Sequence, residues 1–277
     1  VKLSKGITML KHAEELNRIF KIFVSSKANI RPHFIFTGPS GSGKTWTVEQ
    51  MADKYGVNFL EINAAQLTKE GTSGNSLSKA LVPLENMQLG QTVVFVDEFD
   101  KLFISGNSNS EIAHETTNGV QNEFLKILEA ATTSVMGSYG HYNTVSCKNV
   151  LFIFAGAFNG EEGIDLDRLR ELGIKTEFLG RVGLVYNTDK IKLSELIQAM
   201  KESELLSMYL ELFPKIKRKD VEASLEESLT EGYENNTLGY RAITTLLHQY
   251  FINGGPVKKE KQRFLFSKSL DFDSNAA

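Results

Sequence analysis

What the chain lacks narrows it first. It holds one cysteine, Cys147, which excludes an internal disulfide and a cysteine-rich zinc site and suits a reducing, cytoplasmic setting. No uninterrupted apolar run approaches the roughly 18 residues of a membrane-spanning helix, so no membrane partner is expected. Neither sign of charge dominates. A net charge of −3 gives no footing for a nucleic-acid-binding body or a membrane-surface protein. There is no internal repeat, no low-complexity tract and no signal-peptide pattern. The chain opens Val1-Lys2 rather than on a methionine, which is compatible with a module preceding it. What remains is an ordinary soluble composition, 41% hydrophobic and 23% charged over 277 residues, long enough for two domains.

The most informative stretch is Gly38-Pro39-Ser40-Gly41-Ser42-Gly43-Lys44-Thr45. A glycine, four residues, then glycine, lysine and threonine is a phosphate-binding pattern, and its context agrees. The apolar run Phe34-Ile35-Phe36 precedes it as a buried strand, and a helix-compatible run from Thr45 to Tyr55 follows. Glycines let successive N–H groups point inward at phosphate oxygens, where a helix N-terminus adds its positive end. Lys44 then reaches the β- and γ-phosphates of ATP, and the Thr45 hydroxyl ligates Mg²⁺. Trp46 is grouped with this nucleotide-binding stretch.

A second signal completes the first. The run Thr92-Val93-Val94-Phe95-Val96 ends in Asp97-Glu98, two carboxylates at the C-terminal end of a strand. Asp97 is expected to hold the Mg²⁺ water shell, and Glu98 to polarise a water for in-line attack. Around these motifs the pattern predicts helices over 7–24, 76–88 and from about 119. It predicts strands at 57–62, 150–155 and 182–186, a loop over 103–118 and a loop or hairpin over 134–147. From Ser194 onward only helical periodicity remains, with a terminal strand expected in 258–268. The expected fold is α/β, a P-loop NTPase parallel sheet flanked by helices: residues 1–187 form a large nucleotide-binding domain and 188–277 a small helical one.

With these motifs in place, the chain resembles the AAA+ ATPases, within them the Clp/Hsl100 unfoldase branch of ClpX type, from about residue 30 to 255. The segments 95–102, 119–129 and 151–158, and Glu177-Phe178-Leu179-Gly180-Arg181, carry the likeness beyond the generic motifs. The resemblance implies that Arg181 is an arginine finger offered in trans to a neighbour's nucleotide; a local pair with Glu177 is the alternative. It also implies that Arg241, in Gly239-Tyr240-Arg241, contacts the nucleotide of its own subunit, although in another register it matches a second arginine three positions on. A hexameric ring acting on a protein substrate or assembly follows from the likeness.

Three departures from the family bear on function. The axial loop that grips polypeptide in the family corresponds to Gly71-Thr72-Ser73-Gly74, which has no aromatic residue. The long peptidase-docking insertion is replaced by a few residues, Asn159 to Ile164, so no ClpP-type peptidase is expected. A polar residue after the fourth strand is not evident, Asn159 being the nearest candidate, and the family's zinc-binding N-terminal domain has no counterpart in this chain. The leading expectation is ATP-driven remodelling without a peptidase. The alternatives are an ATP-gated scaffold and a DNA-directed motor, the latter supported only by the basic run at 215–219 and the basic tail.

Overall fold

A computed structural model describes residues 12–68, 75–103, 111–137, 141–234, 236 and 238–255. Helix α1 (Ala13–Ser25) leads to β1 (Phe34–Thr37), α2 (Lys44–Tyr55) and β2 (Asn58–Asn63). Two short strands, β3 (Leu67–Thr68) and β4 (Asn75–Ser76), precede α3 (Leu77–Ala80) and β5 (Thr92–Asp97). Then come α4 (Glu111–Ala130), the pair β6 (Thr132–Met136) and β7 (Tyr142–Ser146), and β8 (Val150–Gly156). Helices α5 (Leu166–Glu171) and α6 (Thr176–Arg181) lead to β9 (Leu184–Asn187). The chain finishes with α7 (Leu193–Lys201), α8 (Glu204–Leu212), α9 (Arg218–Gly232) and α10 (Arg241–Ile252).

Five strands form one sheet in the order β2-β5-β8-β1-β9, and every neighbouring pair is parallel. The apolar runs explain the order. Strands β1 and β8 are buried at every residue and occupy interior positions, whereas β2 and β9 are half-exposed and form the edges. A parallel strand covered on both faces needs apolar residues at both parities. Phe34, Phe36, Val93, Phe95, Leu151 and Ile153 point to one face, where α1 and α2 cover them. Ile35, Val94, Val96, Phe152 and Phe154 point to the other, under Val120 and Phe124 of α4 and Phe178 of α6. From Ile191 onward the helices gather around a separate apolar cluster that includes Leu196, Leu206, Leu225 and Leu247. This is the α/β architecture expected of the sequence, with a helical C-terminal part.

Local departures have local causes. The helix expected over 76–88 stops at Ala80 and continues as a 3₁₀ segment, Val82–Met87. Pro83 lacks the N–H that an α-helix would bond to Lys79, and its ring would clash there. Of the helix expected over 7–24, residues 7–11 lie outside the described residues, and the described helix starts at Ala13, after His12 in a left-handed conformation (φ 66°). The loop expected over 103–118 is shorter, because α4 already begins at Glu111. Segment 132–146 is an antiparallel hairpin, pairing Thr132 with Ser146 and Met136 with Tyr142. The expected strand in 258–268 and the Gly71–Gly74 loop lie outside the described residues.

His33 illustrates how the sheet is stitched and how it responds to acid. Its Nδ1 accepts the Phe152 N–H at 3.0 Å, so the neutral ring carries its proton on Nε2. Burial, with Arg31 nearby, pushes its pKa down to about 4. An unfolded chain takes up this proton near pH 6.5 and the fold does not, so stability falls as pH drops from about 6.5 toward 4. Urea unfolding at pH 5 is expected to show a loss on the order of 2 kcal/mol relative to pH 7 from this group. His33→Asn keeps an acceptor near the Nδ1 position and cannot titrate. An unchanged pH dependence in that variant would place the acid sensitivity elsewhere.

Candidate functional site

After β1 the chain turns sharply through Gly38 (φ 136°), Gly41 (φ 71°) and Gly43 (φ 84°) before α2 begins at Lys44. Gly43 is the N-cap, no side chain caps the helix, and no acidic residue lies in its first turn. The first amides of α2 therefore keep their donors for an anion, with the positive end of the helix behind them. On its other side the loop meets the C-terminal part backbone to backbone. Tyr240 N–H donates to Gly41 O at 3.0 Å. A Cβ on Gly41 would lie 1.9 Å from Leu238 O, and one on Gly239 would lie 2.3 Å from Gly41 O. Neither contact admits a side chain.

Lys44 is buried, and its Nζ donates to Gly38 O (2.7 Å) and Pro39 O (3.0 Å), with Ser42 Oγ at 3.5 Å. These acceptors are all neutral. Burial pushes the Lys44 pKa down to about 8; Asp97 and Asp100 counteract this, and Arg241 adds to it. A buried ammonium served only by neutral acceptors is a cation awaiting an anion. That donor set, together with the open helix end, fits a phosphate group.

The acidic pair stands where β5 ends, half-exposed at Asp97 and exposed at Glu98. Glu98 has φ 54° and donates its N–H to Asp97 Oδ1 at 2.8 Å. A left-handed glutamate costs on the order of 1 kcal/mol and is held by its surroundings. Asp100, given no site role by the motifs, supplies part of that hold. It is buried (1% exposed), accepts the Phe158 N–H at 3.2 Å and pairs with Lys101 at 3.3 Å. It thereby ties the turn after β5 to the turn after β8, where Phe158 (φ 45°) and Asn159 (φ 58°) are also left-handed. Asn159 does not line the cleft, whereas Ala157 does, so the structure gives no support to Asn159 as the polar residue there.

A cleft of about 790 Å³ brings these groups together: Ser40 to Trp46 on one wall, Asp97, Glu98, Asp100 and Ala157 on a second. The third wall comes from the C-terminal helices, with Glu195, Gln198, Tyr240 and Arg241. Arg241 Nη1 lies 3.5 Å from Ser40 Oγ of the phosphate loop. Of the predicted site residues, Arg181 stands apart. It ends α6, outside the cleft lining, exposed and paired with Glu129 of α4 at 3.3 Å rather than with Glu177. Among the described residues no group of three or more His, Cys, Asp and Glu could hold a metal by itself. None of the helices there is long and apolar enough to cross a membrane.

A parallel sheet with a glycine loop and helix after one strand, and an acidic pair ending another, defines a P-loop NTPase of the α/β class. Residues 34–166 match the model of the ATPase family associated with various cellular activities, AAA. Residues 34–166 thus carry an AAA-family domain, and the chain is ClpX-like in sequence. It is 30% identical over 199 residues to the ATP-dependent Clp protease ATP-binding subunit ClpX of Treponema denticola, covering 68% of this chain and 46% of that one. ClpX of Borrelia duttonii is 24% identical over an alignment of 313 positions, covering 94% of this chain and 72% of that one. ClpX 2 of Wolinella succinogenes is 30% identical over 219, covering 66% and 55%. The chain thus spans about half the length of the first and third of these relatives.

Proposed function

We propose that the cleft binds ATP and hydrolyses it to drive remodelling of a protein or protein assembly, in a homo-oligomeric ring. The carrying observation is that Lys44, Asp97, Glu98 and Arg241 converge on one cleft from three separate segments. The open amides of the α2 N-terminus and Lys44 bind the phosphates, and Arg241 adds a cation from the C-terminal helices. Thr45 and Asp97 would hold Mg²⁺, which when bound neutralises phosphate charge. Glu98 orients the attacking water and takes its proton on a carboxylate oxygen. Arg181 serves a neighbouring subunit, so turnover depends on assembly. Closure of α7 and α10 over the loop excludes water and links turnover to domain motion. The expected site is protein-directed, soluble and cytoplasmic, and works without a ClpP-type peptidase.

A second reading is an ATP-gated scaffold, in which hydrolysis only resets a ring bound to its partner. The polar Gly71-Thr72-Ser73-Gly74 segment favours it, since small hydroxyl residues offer little grip on a moving polypeptide. ATPase stimulation by an unfolded polypeptide, with ATP-dependent loss of structure in a folded one, supports remodelling. Turnover indifferent to every polypeptide, with ATP-dependent ring formation, supports the scaffold. For the site itself, Lys44→Ala is expected to weaken Mg·ATP binding at least about 100-fold in calorimetry, because a charge-assisted contact is removed from a buried site. Equal affinity in the variant and the parent would refute the phosphate assignment.

A further inference from the structure

Thr188 follows β9, where the chain leaves the sheet for the C-terminal helices, and it is buried with 4% exposure. Its N–H donates to Thr37 O at 2.8 Å. Its hydroxyl lies 3.1 Å from the same carbonyl and 2.9 Å from Ser42 Oγ. Ser42 is itself buried and is the one side-chain acceptor in reach of Lys44 Nζ among the contacts of that lysine described above. Beside this pair, Thr37 Oγ1 donates to Asn187 Oδ1 at 2.7 Å, and Asn187 Nδ2 donates to Ile164 O at 2.9 Å. A Cβ on Gly38 would lie 1.9 Å from Thr188 Oγ1, so the loop and this threonine fit without slack.

A buried hydroxyl costs free energy unless it is bonded, and a bonded one fixes direction as well as distance. Here two buried hydroxyls join the phosphate loop to the start of the C-terminal part across 146 residues of sequence. We propose that Thr188 is a positioning residue for the phosphate loop: through Ser42 it sets where Lys44 stands, and it ties that lysine to the segment about which the C-terminal helices move. When Lys44 turns from the loop carbonyls toward a phosphate, Ser42 loses a polar neighbour. Its contact with Thr188 is then what holds the loop in register. The kinetic part of this inference rests on the ATPase reading, whereas the structural part does not.

The test begins without nucleotide. Thr188→Val removes the hydroxyl and keeps the shape. Amide hydrogen exchange at residues 40–43 is expected to rise about fivefold to tenfold, as for the loss of one buried hydrogen bond. Trp46, the chain's one tryptophan and part of the cleft wall, is expected to show altered emission or quenching. Ser42→Ala should raise exchange to the same extent, and the double variant no further, because members of one network are non-additive. With ATP, kcat is expected to fall about fivefold in Thr188→Val with little change in KM. Thr188→Ser should restore exchange and kcat to within about twofold. Unchanged exchange in both Thr188→Val and Ser42→Ala overturns the proposal. Equal effects of Val and Ser at position 188 also overturn it, since the methyl rather than the hydroxyl would then matter. Should Thr188→Val fail to fold, Ser42→Ala decides. A parent protein that binds no ATP would sink the nucleotide reading alone, because the exchange arm needs none.

Discussion

Glu98→Gln is expected to leave Mg·ATP affinity within about threefold of the parent and to cut turnover about 10²- to 10⁴-fold, the range for loss of a positioned general base. The exposed carboxylate sits at a left-handed turn beside Asp97, whose Oδ1 already accepts the Glu98 N–H. The amide isostere keeps that backbone bond and the turn, because neither uses the Glu98 side chain. What it loses is a group able to take a proton from water. Calorimetry should therefore report normal binding while a phosphate-release assay reports almost none, and the ATP-bound assembly should persist. Loss of binding together with turnover would mean that Glu98 holds the site's shape rather than its chemistry. Whatever co-purifies with the trapped assembly would identify the substrate or partner.

Arg181→Ala is expected to retain binding and to lower hydrolysis about 10³-fold or more, the range for an arginine finger. The geometry behind this is an exclusion. Arg181 does not line the cleft of its own chain, so in the proposed reading it is offered to a neighbour's nucleotide instead. Its pair with Glu129 joins two exposed side chains at 3.3 Å. Such a pair contributes about 0–1 kcal/mol and is readily exchanged for a better partner at an interface. The carrying helix is firmly set, since Phe178 stacks on Phe99, the residue after Glu98, with centroids 5.2 Å apart. Mixing Arg181→Ala with Glu98→Gln protein should restore activity where an intact Arg181 faces an intact Glu98. Absence of recovery at every mixing ratio would argue against a site shared between subunits. Undiminished hydrolysis by Arg181→Ala alone would leave the ion pair with Glu129 as its whole role.

The sheet was legible because its signals are local. Strands β1, β5 and β8 are continuous apolar runs in sequence, and they proved to be interior strands buried on both faces. The glycine loop and the acidic pair were legible for the same reason, since each packs its chemistry into a few consecutive residues. Element ends were less so. Pro83 turned a long expected helix into two short segments, and a polar, glycine-bearing stretch hid the first turns of α4, where composition suggested a loop.

By itself the sequence determined the class of fold, the phosphate loop and the acidic pair, because each depends on periodicity or on spacing within a short segment; the arginines worth testing came from the resemblance of their segments to a known family. Tertiary structure alone decided that Gly239 and Tyr240 press on Gly41, that Thr188 meets Ser42, and that Asp100 lies buried beneath two strained turns. It also decided that Arg181 pairs with Glu129 away from the cleft. These contacts join residues far apart in the chain. Backbone clearance and burial, which no residue pattern encodes, select them once the sheet has brought its strand ends together.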